Sequence, residues 1–142
     1  MIIALDTNVF ISALDKNQPN YKIAALLLNE IRKGKDIGLA SSVTFAEIYD
    51  SNNLKNKIDI NNFFKAIINI KTIPADDGIC KNASQLRQDS TKTLKVPDAL
   101  HLATSITHRS DLFITDDDTL RKIAIKYIET INLEQWHNKF YK

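Results

Sequence analysis

The chain has 142 residues, of which 44% are hydrophobic and 25% charged, and this composition is typical of one globular domain and excludes a disordered or fibrous protein. Its formal net charge of +2 is too small to indicate nucleic-acid binding unless the basic residues are concentrated locally. The only cysteine, Cys80, excludes an internal disulfide, and we expect it to be a small core residue in a reducing compartment. No apolar run approaches the ~20 residues of a membrane span. We therefore expect a single cytoplasmic domain over residues 1–142.

The chain begins with five apolar residues, Met1 to Leu5, and the polar residues Asp6, Thr7 and Asn8 follow directly. An unbroken apolar run of this length predicts a strand that is buried on both faces of a parallel sheet. Ligands bind at the carboxyl ends of the strands in such sheets, so Asp6 is placed where chemistry takes place. The alternative is that Asp6 or Thr7 only caps the helix that follows.

Helices and strands then alternate along the chain. The further strands are predicted at residues 37–40, 70–73, 111–115 and 127–131. Apolar residues at helical spacing predict helices around residues 9–14, 24–31, 43–49, 60–68, 79–86, 96–106, 120–124 and 133–140. Ser41 or Ser42 is a candidate cap for the third helix and Asp59 for the fourth, with Asn52, Asn53 and Asn56 interrupting the pattern between them.

This alternation predicts a three-layer α/β/α sandwich with a mainly parallel central sheet. Right-handed crossovers place the strand ends, and the first turns of the helices after them, along one edge of the sheet. Acidic residues occupy several of these places: Asp6, Glu47, Asp98, and the run Asp116, Asp117 and Asp118.

Each of these acids has a simpler explanation when it is considered alone. Glu47 could form a capping box with Thr44, and Asp98 or the triple aspartate could favour a helix N-terminus. Their convergence is harder to explain, because neighbouring carboxylates without cations raise each other's pKa values and at least one pKa should be raised in the folded protein. A divalent cation would remove that cost, and oxygen ligands suit Mg²⁺ or Mn²⁺. Such an ion activates water and stabilises charge on a phosphate.

Four motifs, in order, cover nearly the whole chain. They are Leu5-Asp6-Thr7-Asn8, Thr44-Phe45-Ala46-Glu47-Ile48, Pro97-Asp98-Ala99-Leu100-His101-Leu102-Ala103-Thr104 and Phe113-Ile114-Thr115-Asp116-Asp117. With these motifs the chain resembles PIN-domain proteins, and in particular the small VapC-type ribonuclease toxins of toxin–antitoxin pairs.

The resemblance implies a PIN-like fold with a five-stranded parallel sheet, frequent homodimers, and a small antitoxin that reaches into the acidic groove. It also implies that four acids hold one or two metal ions and act as the catalytic residues: Asp6, Glu47, Asp98 and Asp117. Thr7 and Thr115 match the family's hydroxyl positions near the metal. Asp117 is the acid expected in the Thr-x-Asp pattern, although its neighbours Asp116 and Asp118 leave the fourth ligand open.

Other polar residues have weaker signals. Asn8 either orders the loop after the first strand or steadies Asp6. His101 lies one helical turn from Asp98 and could titrate near neutrality. It is nevertheless expected to have a spectator or packing role, because a metal that activates water makes a separate base unnecessary. Trp136 is expected to anchor the C-terminal helix in the core. Three basic residues precede Asp98 and either neutralise substrate phosphates or form a solvated face: Arg87, Lys92 and Lys95.

Our interpretation is an endoribonuclease that depends on Mg²⁺ or Mn²⁺ and cleaves single-stranded or loop RNA, as the toxin of a toxin–antitoxin pair. One alternative is an RNA-processing PIN nuclease without an antitoxin, and another is a non-catalytic adaptor that binds RNA or protein. A phosphorylatable receiver domain would need a second acid after the first strand and a late lysine. A nucleotide-binding module would need phosphate-binding glycines that the chain lacks.

Overall fold

The structure is a computed structural model that describes residues 1–51 and 57–141, and it describes residues 57–59 by their backbone alone. The interruption predicted at Asn52, Asn53 and Asn56 lies outside the described residues. The strands are β1 (Ile2–Leu5), β2 (Ile37–Ser41), β3 (Ile70–Ile73), β4 (Leu112–Ile114) and β5 (Thr130–Ile131). The helices are α1 (Thr7–Leu14), α2 (Tyr21–Arg32), α3 (Val43–Asp50), α4 (Lys57–Ala66), α5 (Asp77–Asp89), α6 (Val96–Thr107), α7 (Asp118–Ala124) and α8 (Leu133–Trp136), and a π-helical segment, His137–Tyr141, follows α8.

The five strands form one sheet in the order β3-β2-β1-β4-β5, and every neighbouring pair is parallel. This confirms the predicted five-stranded parallel sheet. The chain builds outward from β1 to β2 and β3, and it then returns to the other side of β1 for β4 and β5. The order of the strands therefore reverses between β1 and β4, and in open α/β sheets the ligand crevice lies outside the carboxyl ends of such a strand pair.

The side chains of β1 divide the interior into two cores. Ile3 and Leu5 pack with residues of α1, α2, α3 and α8 on one face of the sheet, whereas Ala4 packs with α5, α6 and α7 on the other. All three residues are buried, as the unbroken apolar run predicts. Trp136 is buried in the first core, which confirms its expected packing role. The architecture is therefore the predicted α/β/α sandwich.

The prediction that Cys80 is a core residue is wrong, because its side chain is exposed. Helix α5 turns Ile79, Ala83 and Leu86 into the core, and the next residue along a helix lies about 100° around its axis. Cys80 consequently faces solvent, with its thiol near the Ala75 carbonyl at 3.6 Å.

Helix α4 differs from the prediction at both ends. It begins at Lys57, two residues before the predicted cap Asp59, whose side chain lies outside the described residues. It ends at Ala66, and Ile68 beyond it is 62% exposed rather than buried. Asn69 then takes a left-handed conformation with φ of 69°, and this turn redirects the chain into β3.

Strand β5 contains two residues rather than the predicted five. The amide groups of Tyr127 and Ile128 both donate to the Ala124 carbonyl at 2.9 and 3.1 Å, so these residues prolong the end of α7 as a turn. Apolar content alone does not distinguish this turn from a strand. Among the described residues, none of the helices has the length and apolar content needed to span a membrane.

The core packing predicts unequal effects of two substitutions. Phe10 is fully buried, and its ring centroid lies 5.3 Å from that of Phe64. Phe10→Ala should therefore lower the free energy of unfolding by about 3–5 kcal/mol through lost burial and a cavity. The exposed Ile68→Ala is the control, and it should change that free energy by less than about 0.5 kcal/mol. Urea denaturation measures both values, and equal losses would contradict the core assignment.

Candidate active site

Asp6 lies directly after the central strand, at the point where the strand order reverses. Its backbone amide donates to the Ile114 carbonyl of β4 at 3.0 Å, so the residue is joined to both middle strands. Its carboxylate caps α1 by accepting from the Thr7 amide at 2.8 Å. The side chain is buried, with only 4% of the residue exposed. Asp6 is therefore a helix cap that also lies at the crevice, and the two roles are compatible.

Thr115 and Asn8 hold the carboxylate of Asp6 in one orientation. The Thr115 hydroxyl donates to Asp6 Oδ2 at 2.6 Å, and the Asn8 side-chain amide donates to the same oxygen at 3.1 Å. Asn8 also donates to the Thr115 hydroxyl at 3.3 Å, and its own carbonyl oxygen accepts from the Asp116 amide at 3.3 Å. These hydrogen bonds connect the loop after β1 with the loop after β4. They are the contacts through which Asn8 would steady Asp6.

Glu47 reaches the same place from helix α3. Its Oε1 accepts from the Thr7 hydroxyl at 2.7 Å and lies 2.5 Å from His101 Nε2. The capping box with Thr44 is therefore wrong, because Thr44 lies inside α3 and the Glu47 side chain is bonded elsewhere. Of the two predicted caps of α3, the Ser42 hydroxyl accepts from the Ala75 amide at 3.0 Å instead, whereas the Ser41 hydroxyl accepts from the Val43 amide at 3.3 Å.

His101 lies at the centre of the cluster, which differs from the spectator or packing role predicted for it. The residue is 3% exposed, and its Nε2 lies 3.1 Å from the Thr7 hydroxyl and 3.6 Å from Asp6 Oδ1, in addition to its contact with Glu47. Its Nδ1 is buried and has no hydrogen-bond partner. The available signal in the sequence was its position three residues after Asp98, which puts both side chains on one helix face.

Asp98 and Asp117 complete the group of acids. Asp98 lies in the first turn of α6, directly after Pro97, as predicted. Asp117 is the N-cap of α7 and accepts from the Leu120 amide at 3.0 Å. Its own amide donates to the Thr115 hydroxyl at 3.1 Å, so Thr115 connects Asp117 with Asp6.

The three consecutive aspartates face three different environments. Asp116 accepts from the Asn20 side chain at 2.8 Å and from the Leu133 amide at 2.9 Å, so its carboxylate ties α2 and α8 to the end of β4. Asp118 is exposed and pairs with Arg121 at 2.7 Å. Of the three, Asp117 is the one that lines the acidic cavity described next.

The acids surround an open cavity of about 470 Å³. Its lining residues are Asp6, Thr7, Asn8, Ile11, Glu47, Asp50, Ser51, Asp98 and Asp117. Asp50 was not among the site residues predicted from the sequence. It follows Glu47 by three residues on α3 and therefore lies on the same face of that helix. Within the described ranges, no lysine or arginine lines this acidic cavity.

The pKa values reflect this excess of negative charge. Burial raises the pKa of Asp6, and burial together with the charges of Asp6 and Asp117 raises the pKa of Asp98 to about 6. Burial also acts on Glu47, but hydrogen bonds from His101 and Thr7 outweigh it and lower the pKa of Glu47. For His101, burial favours the neutral ring, whereas the hydrogen bond to Glu47 and the nearby carboxylates outweigh it and raise the pKa. The site therefore contains an acid with a raised pKa, as expected from the crowding of carboxylates.

The donor chemistry of the cavity fits a hard divalent cation. All five acids offer carboxylate oxygens, and burial together with the neighbouring carboxylates raises the pKa of Asp98, as expected where negative charge is in excess. As the side chains stand, no three acidic, histidine or cysteine residues among those described converge on one ion position. An ion would thus have to draw the carboxylates closer together.

The predicted basic residues lie elsewhere. Arg87 and Lys92 are exposed and line a different surface cavity, and neither lines the acidic cavity. Lys95 is also exposed and occupies the residue directly before α6. The structure therefore does not bring these three side chains together with the four predicted acids.

The raised pKa of Asp98 predicts how stability without metal depends on pH. Between about pH 4, the unfolded value, and pH 6, the folded state binds more protons, so this group's contribution to stability falls as pH rises. Asp98→Asn removes that dependence. In EDTA, the variant should match the parent near pH 4 and be more stable near pH 7 by on the order of 1–2 kcal/mol, allowing for solvent screening. Urea denaturation at both pH values measures this, and a pH-independent difference would contradict it.

Comparison with known proteins identifies the family and the fold. A family description reading "PIN domain" matches residues 3–126. Three solved structures with similar folds are VapBC2 from Rickettsia felis bound to a DNA fragment from its promoter, FitAcB from Neisseria gonorrhoeae, and DNA-bound VapBC from Salmonella typhimurium.

The likeness to these structures extends over nearly the whole length of both chains. The Rickettsia protein is 19% identical with a TM-score of 0.68, covering 93% of this chain and 98% of the other. The Neisseria protein is 23% identical with a TM-score of 0.68, covering 95% and 99%, and the Salmonella protein is 18% identical with a TM-score of 0.67, covering 94% and 98%. No curated protein matches the sequence. Since the family match spans residues 3–126, and the parallel sheet carries the predicted acids at its switch point, the chain belongs to the PIN domain family.

Proposed function

We propose that this PIN domain is an endoribonuclease that depends on Mg²⁺ or Mn²⁺ and acts as the toxin of a toxin–antitoxin pair. The observation that carries the proposal is the open cavity at the end of β1 and β4, which five acids line and which, in the part of the chain described, no lysine or arginine lines. A cluster in which five acids outnumber one histidine is costly to fold, and that cost is expected where the carboxylates hold a cation for catalysis.

Asp6, Glu47, Asp98 and Asp117 are the proposed metal-holding residues. A bound divalent ion would supply the acidity that makes water nucleophilic at neutral pH and the charge that stabilises a phosphate undergoing attack. The chain's own part is to orient the carboxylates. Thr115, Asn8 and the Thr7 amide fix Asp6, whereas His101 and the Thr7 hydroxyl fix one oxygen of Glu47.

The proposed substrate is single-stranded or loop RNA. The acidic cavity, at about 470 Å³, is in the size range of pockets that enclose drug-sized molecules, so it admits a nucleotide or two of one strand. A single strand can bend its backbone into such a cavity, whereas a base-paired helix is too stiff and too wide.

The proposed partner is a small antitoxin protein, and a homodimer is proposed as the assembly. Support for the antitoxin comes from the structural neighbours, whose names describe VapBC and FitAB proteins. An RNA-processing PIN nuclease without an antitoxin is the alternative. Co-purification with the product of an adjacent short reading frame tests the antitoxin, and analytical ultracentrifugation tests the dimer.

The adjacent aspartates give a matched test of the nuclease. Asp117→Asn should lower RNA cleavage by orders of magnitude, because it removes a metal-binding charge while asparagine still caps α7. Asp118→Asn is the control and should cleave like the parent, since it breaks only an exposed ion pair. Cleavage of labelled single-stranded RNA is measured with Mg²⁺, with Mn²⁺ and with EDTA.

Two results would contradict this mechanism. Cleavage that continues undiminished in EDTA would exclude dependence on a divalent ion. Equal activity of Asp117→Asn and Asp118→Asn, with both proteins folded by circular dichroism, would exclude Asp117 as part of the site.

His101 is predicted to position Glu47 rather than to react itself. His101→Ala should reduce cleavage and Mn²⁺ affinity by about 10–100-fold, as is usual when a group that orients a metal ligand is lost. His101→Gln should recover part of both, because its amide can still donate toward Glu47. His108→Ala, which changes an exposed histidine at the end of the same helix, is the control. Mn²⁺ affinity equal to that of the parent in His101→Ala would contradict this role.

A further inference from the structure

A second surface cavity, of about 500 Å³, lies between the end of α5 and the start of α6. Its lining residues are Ser84, Arg87, Gln88, Ser90, Thr91, Lys92, Thr93 and Leu94. The set contains two basic side chains, four hydroxyl groups and no acid, so its charge is opposite to that of the acidic cavity. We refer to it as the basic cavity.

The arginine of the basic cavity is held in place by the loop. Arg87 Nε donates to the Leu94 carbonyl at 2.7 Å, and Leu94 itself is buried in the core of the α5–α6 side of the sheet. Among the described residues, its two Nη groups make no hydrogen bond, so they stay available to a ligand. A fixed guanidinium with free donors matches the oxygens of a phosphate.

The loop adds a second cation and ordered hydroxyl groups. The Ser90 hydroxyl donates to the Lys92 carbonyl at 2.7 Å and accepts from its amide at 3.3 Å, which closes a tight turn. In the described part of the chain, neither Arg87 nor Lys92 has an acidic partner, and the nearby Asp89 is bonded to Gln85 at 3.0 Å instead. A solvated face explains exposed lysines in general, but not a cavity without acids around an anchored arginine.

The basic and acidic cavities are close along the chain. Leu94 lines the basic cavity and Asp98 lines the acidic one, so their Cα atoms are at most about 14 Å apart even for fully extended chain. Lys95 lies between them. A strand of a few nucleotides is therefore long enough to extend from one cavity to the other.

We propose that the basic cavity binds a backbone phosphate of the RNA substrate a few nucleotides from the bond that is cleaved. The inference rests on the proposed ribonuclease function and extends it, because it assigns the chain a separate site that sets the register and minimum length of the bound strand. The acidic cavity repels phosphates in the absence of metal, so the basic cavity supplies the attraction that holds the strand.

The test measures binding of a labelled single-stranded RNA dodecamer and of a dinucleotide by fluorescence anisotropy in EDTA, where no cleavage is expected. Arg87→Gln/Lys92→Gln is compared with Lys122→Gln/Lys126→Gln, which removes the same charge from exposed lysines that line neither cavity. The first pair should raise the Kd for the dodecamer about tenfold, the usual effect of losing a charged hydrogen-bonding site. It should also flatten the slope of log K against log salt by about 0.7, for one single-strand phosphate.

The control pair should bind the dodecamer nearly as the parent does, and Lys92→Arg alone should retain parental affinity. The dinucleotide should bind the parent more weakly than the dodecamer does, because it is too short to reach both cavities. Equal Kd values for the two double variants would overturn the proposal. So would a result in which inorganic phosphate shifts the melting temperature of the parent but RNA affinity is unchanged, since that describes a small-anion site. Weaker RNA binding by Arg87→Gln/Lys92→Gln, together with no cleavage by the parent in Mg²⁺ or Mn²⁺, would support the phosphate site in the basic cavity and contradict the proposed nuclease function.

Discussion

The arrangement of the candidate site depends on the hydrogen bonds of one buried carboxylate, that of Asp6. A buried carboxylate is costly to desolvate unless its oxygens have partners. Here the partners come from both loops at the switch point: the Thr7 amide and Asn8 after β1, and Thr115 after β4. Thr7 also donates to Glu47, and Thr115 also accepts from the Asp117 amide. The residues that orient Asp6 therefore also position these two acids.

Much of the fold follows from local patterns. The unbroken apolar run of β1 indicates a central parallel strand, and the alternation of helices and strands is sufficient to give the layers. The errors occur where burial depends on the angle around a helix or on an end that only tertiary contacts define. Cys80 is small and apolar but lies on the outer side of α5, and Ile68 lies beyond the end of α4. Tyr127 and Ile128 continue a turn although their composition suits a strand.

The positions of the acids were predictable because each lies at a strand end or within the first turns of a helix on the same edge. Their partners were not. Asp116 and Asp117 are chemically identical and adjacent, and only the packing of α2 and α8 decides that the first carboxylate faces Asn20 and Leu133. The role of His101 likewise depends on Thr7 and Glu47, which are distant in sequence, so its spacing from Asp98 indicates a shared helix face but not the contact with Glu47.

The raised pKa of Asp98 has a practical consequence for anyone who engineers this protein. The acid is buried close to Asp6 and Asp117 at a cost to the fold, so replacing it with a neutral residue of similar shape relieves an electrostatic repulsion that the proposed metal site depends on. A library screened only for heat resistance or for soluble expression in the absence of divalent ions would therefore enrich clones that have lost the site. Thermal stability and divalent-ion binding therefore have to be assayed separately. Codon 98 should be sequenced in any variant that melts at a higher temperature than the parent.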